Sequence, residues 1–367
     1  MNLMYWLLLL CYIIFLGAIF INVNVKKYIF FIVTVLSILA YNYDPVYAYI
    51  KLGFYTDLYR IFNDIDMFRY MGDEYVGYMA APLSRLYISF FAIFDNNSWL
   101  PFTTCIIYYG LYLFFIYKLG RYNKIKNRYI LVVIFFVVSI TNYSVIIGNV
   151  RYPIATIIYA ICLYYDLVKN RKIYYLGYII SIFIHPGTFV YLLIRCLVKE
   201  KLKKSIVISV VLIILLNFIE EILSILSVFS PVFFGDILSK FLLYRDVSNF
   251  DEATTSMYII YILIIVIISV LIYIVKKQLD ILRNNDYNRL INLLIIDIII
   301  TVGFILNYQL LGRILSLGVT LLPILMLLDF KYNNNKNRMY YYIIISFIYL
   351  FFYFGQTYGY NGLTFGI

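Results

Sequence analysis

The sequence has few of the residues that soluble enzymes use for chemistry. It contains one histidine, four cysteines and seven prolines in 367 residues, and only 13% of the residues are charged. The four cysteines (Cys11, Cys105, Cys162 and Cys196) lie in apolar segments without paired spacing, which argues against a disulfide framework and a cysteine metal site. No phosphate-binding glycine loop, dinucleotide fingerprint or nucleophile elbow occurs. These absences exclude the common nucleotide-dependent, metal-dependent and serine hydrolase sites.

The chain is instead rich in hydrophobic residues, which make up 64% of it and recur in long uninterrupted runs. Runs long enough to cross about 30 Å of hydrocarbon are typical of a polytopic helical membrane protein. We therefore predict an all-α fold with roughly 10 to 12 transmembrane helices, forming a single integral membrane domain over residues 1–367. Full spans are expected at residues 3–21, 28–43, 100–117, 129–147, 152–167, 205–222, 256–275, 289–306, 313–328 and 339–354.

The net charge of +11 would suggest a nucleic-acid partner in a soluble protein. Here, however, lysine and arginine gather in short connections between apolar segments, as they do in cytoplasmic loops of membrane proteins. We therefore interpret them as topology signals and expect no nucleic-acid partner. The basic connections lie at residues 26–27, 118–128, 169–172, 199–204, 276–283 and 331–338.

Two segments do not fit simple crossings. Residues 173–197 form one apolar run with basic residues on both sides, and His185, Pro186 and Gly187 interrupt it. A re-entrant hairpin that enters from the cytoplasm and turns at His185 satisfies both flanks. Residues 83–94 are short for a full span, so we predict a helix that dips into the outer side. If this helix crosses fully instead, residues 44–82 become cytoplasmic and the Lys26–Lys27 pair becomes external. Two outer loops, at about 44–99 and 223–255, follow from this topology.

Isolated ionisable residues mark a candidate site. Arg151, His185 and Arg313 lie inside or at the edge of apolar runs, where a charge is costly and usually faces a cavity. Counted from their cytoplasmic flanks at 1.5 Å per residue, both arginines reach about 27 Å and His185 about 18 Å. All three therefore reach the outer half of the bilayer, and we predict that they line one cavity. The alternative is that each arginine only extends its side chain to the membrane interface as an anchor. His185 would then be a structural residue at the corner where the helix breaks.

Carboxylates supply the other candidates. Asp57 and Arg60 share a face if their segment is helical, although the spacing alone favours a surface ion pair. Asp297 lies in the middle of a span with no basic residue at helical spacing. A protonated or partnered structural carboxyl is its simpler interpretation, and a proton relay is the alternative.

Three stretches together resemble the Wzy-type polysaccharide polymerases, and within them the EpsG-like family. They are Asp57-Leu58-Tyr59-Arg60, then residues 148–155 around Arg151 followed by a basic turn and Ile184-His185-Pro186, and finally Gly312-Arg313 at the start of a late span. The resemblance covers roughly residues 50 to 330. The family pattern often has glutamine after the arginine, whereas Tyr152 and Pro153 follow Arg151 here.

The resemblance implies an enzyme of the bacterial cytoplasmic membrane that joins undecaprenyl-diphosphate-linked oligosaccharide repeat units on the outer face. Arg151, Arg313 and Arg60 would bind the diphosphate, since guanidinium groups suit phosphates. His185 or Asp57 would accept the proton of the attacking hydroxyl. No cofactor or metal is expected, because the arginines can neutralise the leaving group. A chain-length regulator and a flippase are the protein partners that the family implies, beside the lipid bilayer itself.

Two other functions remain open from the residues alone. A flippase or transporter of lipid-linked glycans would also bind a diphosphate, although it would be expected to show internal repeats and a central charged cavity. A membrane O-acyltransferase would also use a histidine. The products that accumulate in cells discriminate among the three.

Overall fold

Helices account for all regular secondary structure that the described residues contain. The computed structural model describes residues 3–21, 23–45, 57–75, 77–79, 81–141, 143–198, 202–217, 224, 225, 228, 252–281, 287–304, 308–333 and 336–359. The α-helices of this part of the chain are α1 (Leu3–Ile21), α2 (Val25–Tyr41), α3 (Asp57–Met71), α4 (Pro82–Phe91), α5 (Trp99–Tyr122), α6 (Asn127–Ile140), α7 (Tyr143–Gly148), α8 (Arg151–Lys169), α9 (Tyr175–Ile184), α10 (Phe189–Leu197), α11 (Leu202–Asn217), α12 (Glu252–Ile281), α13 (Asn288–Gly303), α14 (Tyr308–Asn333) and α15 (Lys336–Gly359).

The chain divides by its contacts into two compact units, and the single integral membrane domain over residues 1–367 stays a prediction. The first unit comprises residues 1–188 and 320–367, and the second comprises residues 189–319. The boundaries fall at the end of the His185 corner and inside α14, so α14 contributes to both units.

Helix α6 forms the centre of the first unit. Every residue from Tyr129 to Ile140 is buried, because this helix is apolar on all sides and packs against α1, α2, α5 and α15. It ends at Ile140; the next residue, Thr141, has an extended backbone, and its hydroxyl donates a hydrogen bond to the Val137 carbonyl oxygen at 2.8 Å. The span predicted at 129–147 is therefore not one continuous helix but two, α6 and α7.

Tyrosine hydroxyls fasten the helices of the first unit to one another. Tyr12 donates to the Val138 carbonyl oxygen at 3.0 Å, and Tyr143 donates to the Leu36 carbonyl oxygen at 2.8 Å. Tyr112 donates to the Thr320 carbonyl oxygen at 2.7 Å. A phenol supplies a large apolar surface and one donor, so it can bridge two helices in an apolar core. This use gives part of the tyrosine content a structural reason.

Three helices of the described part are long and apolar enough to cross a membrane: Trp99–Tyr122, Ile259–Ile281 and Leu311–Asn333. They coincide with the spans predicted at 100–117, 256–275 and 313–328. Shorter apolar helices occupy Leu7–Ile21, Asn127–Ile140, Lys172–Ile184 and Pro186–Leu197. These helices confirm an all-α membrane protein, while the total of 10 to 12 spans stays a prediction. Most of the predicted outer loop at 223–255 lies outside the described residues.

The helix break predicted at His185 is present. Helix α9 ends at Ile184, the His185 backbone is extended with φ −146° and ψ 108°, and Pro186–Thr188 form a short 3₁₀ turn before α10. Helix α9 has 10 residues and α10 has 9, so they rise about 15 Å and about 14 Å, half or less of what a crossing needs. Their arrangement as a hairpin stays a prediction. Helix α4 has 10 residues and is likewise too short to span.

Small residues let the helices of the second unit approach closely. Helix α13 packs against α10, α11 and α12. A Cβ atom at Gly312 of α14 would lie 2.6 Å from the Tyr261 hydroxyl oxygen of α12, and one at Gly318 would lie 2.8 Å from the Asp297 Oδ2 of α13. Asp297 is 1% exposed, and neither of its oxygens has a hydrogen-bond partner among the described residues. No cation of the described residues lies within ion-pair distance of it, so this carboxyl fits the neutral, structural interpretation.

Candidate functional site

The site begins with the ion pair at the start of α3. Asp57 and Arg60 fall one turn apart because the segment is helical, and Arg60 Nη2 lies 3.1 Å from Asp57 Oδ1. Their side chains are 42% and 46% exposed respectively, so both charges remain accessible to a ligand. At this exposure the pair contributes little to stability.

Asp64 lies one helical turn after Arg60 on α3, and it accepts hydrogen bonds from two tyrosines that follow the helix. The Tyr75 hydroxyl donates to Oδ1 of Asp64, and the Tyr78 hydroxyl donates to Oδ2. Burial and then the hydrogen bond to Asp64 raise the pKa of Tyr75 to about 12, and the same causes raise the pKa of Tyr78. Both phenols therefore stay protonated at neutral pH and act as donors.

Tyr78 is held in an unusual backbone conformation. Its φ is +62°, in the left-handed region that residues other than glycine rarely adopt. The Arg85 guanidinium donates to the Gly77 carbonyl oxygen at 3.0 Å and so fastens the turn that carries Tyr78. Such strain persists only where surrounding contacts impose it, and it is frequent at functional sites.

The ring of Tyr78 lies under Arg151, the first residue of α8. The guanidinium carbon of Arg151 is 4.5 Å from the ring centroid, a close cation–π contact. Arg151 is half-buried, its Nε atom is buried without a hydrogen-bond partner, and no described carboxylate lies within ion-pair distance of it. Its guanidinium is therefore oriented by an aromatic face while hydrogen-bonding capacity remains for an anion.

Tyr152, the next residue, links the arginine to His185. The Tyr152 and His185 rings pack edge to face with centroids 5.1 Å apart. The residue that departs from the expected family pattern thus contacts the only histidine. The Ser84 hydroxyl of α4 donates to the Ile184 carbonyl oxygen and anchors this corner.

The environment of His185 determines which nitrogen carries its proton. The Gly187 N–H donates to His185 Nδ1 at 3.1 Å. A neutral imidazole whose Nδ1 accepts a hydrogen bond carries its proton on Nε2. A Cβ atom at Gly187 would lie 2.9 Å from Nδ1 and 2.8 Å from Cε1, so only glycine fits here without moving the ring. In this arrangement the Nε2 edge of His185 is a hydrogen-bond donor.

Arg313 belongs to the second unit, on α14. The Tyr191 hydroxyl of α10 donates to the Arg313 carbonyl oxygen at 2.7 Å and lies 2.6 Å from the Ser316 hydroxyl oxygen. These contacts fix the helix backbone at Arg313. The convergence of Arg313 with Arg151 and His185 stays a prediction.

Four of the five site residues expected from the sequence belong to the first unit. Contacts run from Arg151 through Tyr78 to α3, which also carries the Asp57–Arg60 pair, and from Tyr152 to His185. The sequence interpretation missed Asp64, Tyr75, Tyr78 and Tyr152. Asp64 stood out only as one of several acids in its loop, and the tyrosines are hidden among 42 in the chain. Among the described residues, no group of three or more His, Cys, Asp or Glu could hold a metal ion.

Comparison with known proteins gives one match. A family model described as the EpsG family matches residues 42–366, which is most of the chain and includes every residue of the candidate site. No curated protein and no solved structure matches the chain.

Proposed function

The chain belongs to the EpsG family, the family of Wzy-like polysaccharide polymerases, and on that premise we propose that it polymerises undecaprenyl-diphosphate-linked oligosaccharide repeat units into a surface polysaccharide. Membership indicates a glycosyltransferase-like polymerase in a membrane. The donor, the acceptor, the outer-face location and the residue roles are our proposal. The observation that carries it is the Arg151 guanidinium, which lies over the Tyr78 ring and has a buried Nε without a hydrogen-bond partner among the described residues.

The reaction is a displacement at a sugar carbon. A hydroxyl oxygen of the incoming lipid-linked repeat forms a bond to the anomeric carbon of the growing chain. The bond from that carbon to the diphosphate oxygen breaks, and the lipid diphosphate leaves with the electron pair. The hydroxyl proton passes to a base. Negative charge therefore develops on the diphosphate, and a positioned cation accelerates the step by stabilising it there.

Arg151 suits this stabilising role. A guanidinium presents its donors in a plane that matches two oxygens of a phosphate. The Tyr78 ring holds the guanidinium in place, and the half-buried position strengthens the attraction to an anion. Arg60 and Arg313 are proposed to bind the same diphosphate, Arg60 through its accessible guanidinium and Arg313 from the sequence pattern that it shares with Arg151.

The His185 geometry supports a donor role better than a base role. Because Nδ1 accepts from Gly187, the neutral ring offers an Nε2–H that could bond to a diphosphate oxygen. The base is then a carboxylate, for which we propose Asp57, since its side chain is accessible and Arg60 holds it at 3.1 Å. Tyrosine rings around the site are proposed to stack on sugar faces.

The test is a deletion strain complemented with wild-type or variant protein, in which lipid-linked glycans are separated by length and located by leaflet. A polymerase deletion leaves single repeats on carrier in the outer leaflet. Retention of those repeats in the inner leaflet would indicate a flippase. Full-length polymer without acyl groups would indicate an O-acyltransferase, and either result contradicts the proposal.

A further inference from the structure

A cavity at the basic end of the first unit lies apart from the candidate site. It has a volume of about 450 Å³ and opens between the carboxyl ends of α5 and α8. Its lining residues are Phe115, Lys118, Leu119 and Tyr122 of α5, Tyr164, Tyr165 and Lys169 of α8, and Arg171 and Tyr174 beyond it. A volume of this size is within the range of about 300–1,000 Å³ that small-ligand pockets occupy.

The cavity carries positive charge without a neutralising carboxylate. Lys118, Lys169 and Arg171 line it, and no acidic residue does. Within the described ranges, none of these three cations is within ion-pair distance of a carboxylate. Three uncompensated cations that share one cavity wall attract an anion.

The walls between the cations are aromatic. The Tyr165 and Tyr174 rings are stacked, with centroids 4.5 Å apart and planes inclined by 10°. Lys169 Nζ lies 3.9 Å from the centroid of the Tyr122 ring. The cavity is thus lined by apolar faces with cations held at defined positions among them.

The end of α8 builds this arrangement. Asn170 ends the helix in the left-handed conformation, with φ +52°, and reverses the chain. The Arg171 N–H then donates to the Tyr165 carbonyl oxygen at 3.3 Å. The reversal brings Arg171 and Tyr174 back beside Tyr165. The cavity therefore depends on the backbone conformation at the end of α8 and not only on the number of basic residues there.

We propose that this cavity binds the phosphate head group of an anionic phospholipid. The cations fit a phosphate, and the aromatic walls fit the glycerol and the first acyl carbons. The cavity lies where α5 and α8 pass from apolar residues to the basic connections at 118–128 and 169–172, which is the depth of a lipid head group. A free soluble phosphate would gain nothing from the aromatic walls. This site is independent of the proposed polymerase chemistry.

The experiment measures phosphatidylglycerol retained by the full-length protein after transfer from mixed phosphatidylglycerol and phosphatidylcholine nanodiscs into detergent, using native mass spectrometry. The double variant Lys169→Gln/Arg171→Gln should retain about 25-fold less phosphatidylglycerol than the wild-type protein, since each cation near an anionic lipid contributes about fivefold and two such contributions multiply. The matched control Lys27→Gln/Lys172→Gln removes the same charge from exposed residues that do not line the cavity and should retain lipid normally. An equal loss in the control would contradict a specific site.

Two further measurements on the wild-type protein avoid dependence on the folding of the variants. Glycerol 3-phosphate at millimolar concentration should not displace the lipid, and displacement would assign the site to a soluble phosphate instead. A phosphatidylglycerol with a photoreactive group near its head should label peptides that contain Tyr122 or Tyr174. Labelling confined to Arg121 and residues 124–128, which line a separate basic cavity with Phe20, would overturn the proposal, and so would labelling confined to other parts of the chain.

Discussion

At the scale of single residues, the candidate site depends on how Arg151 is supported. Arginine in an apolar environment normally needs a carboxylate, yet here an aromatic ring faces the guanidinium. The ring in turn belongs to a tyrosine that Asp64 and the left-handed backbone hold in place. Asp64 therefore positions Tyr78, and Tyr78 positions Arg151, without neutralising the charge that an anionic ligand would need.

Replacing Arg151 by lysine should be almost as damaging as replacing it by alanine. An ammonium is a point charge that cannot reproduce the planar, two-donor contact or the stacking on Tyr78. We expect each variant to lower the rate of polymer formation by about 100-fold, the effect of losing one preorganised donor. The measurement is glycan chain length in complemented cells at equal protein abundance. Restoration of most polymer by lysine would reduce Arg151 to a simple charge or an interfacial anchor.

Gly187→Ala should impair synthesis through His185. The added Cβ would lie 2.8–2.9 Å from the imidazole, so the ring must move away from its position beside Tyr152. A displacement near 1 Å at a catalytic group can lower rates by about 100-fold. Gly110→Ala is the matched control, because nothing lies within 4 Å of a Cβ there. Equal polymer length and equal protein abundance in both variants would show that the histidine position is unimportant.

At the scale of elements, α14 contacts α13 at Gly318, where the absence of a side chain leaves space for the buried carboxyl of Asp297. This carboxyl has no ion-pair partner in the part of the chain that the structure describes. A neutral carboxyl can be tolerated there, whereas an ionised one would be very costly.

Asp297→Asn should therefore be nearly neutral, while Gly318→Ala should be destabilising. Asparagine has the shape of a protonated aspartate, but an alanine methyl would lie 2.8 Å from Asp297 Oδ2 and 3.2 Å from Ile268 Cδ1. Overpacking of this kind lowers the free energy of unfolding by about 1–3 kcal/mol. Melting temperatures of purified protein in detergent measure both effects. A severe loss of activity in a stable Asp297→Asn protein would instead identify Asp297 as a proton relay.

At the scale of the whole molecule, the distribution of basic residues predicts the topology. Reporter domains fused near residues 122, 170, 202, 280 and 334 should lie in the cytoplasm, and those near 62 and 240 should lie outside. Enzymatic reporters that are active on only one side of the membrane make the measurement. A cytoplasmic signal at 62 would place α3, with Asp57 and Arg60, on the wrong side for the proposed reaction.

The class of the protein and its strongest local features could be predicted from the amino-acid sequence. Long apolar runs can be satisfied only by helices in a bilayer, so the all-α membrane class followed from composition. The break at His185 followed from Pro186, because proline has no backbone N–H to donate and its ring clashes with the preceding helical turn. The short arginine and histidine motifs were enough to indicate the family. Each of these inferences rests on residues that are close together in the chain.

The tertiary structure alone decided how the candidate site is assembled. Tyr78 and Arg151 are 73 residues apart, and no local pattern distinguishes Tyr78 from the other tyrosines. Their contact depends on the left-handed turn at Tyr78, on Asp64 and on the packing around α8. The proton position on His185 likewise depends on a backbone N–H that the 3₁₀ turn directs at the ring. Local sequence sets helix type and helix ends, whereas contacts between distant segments arise from packing that no single segment encodes.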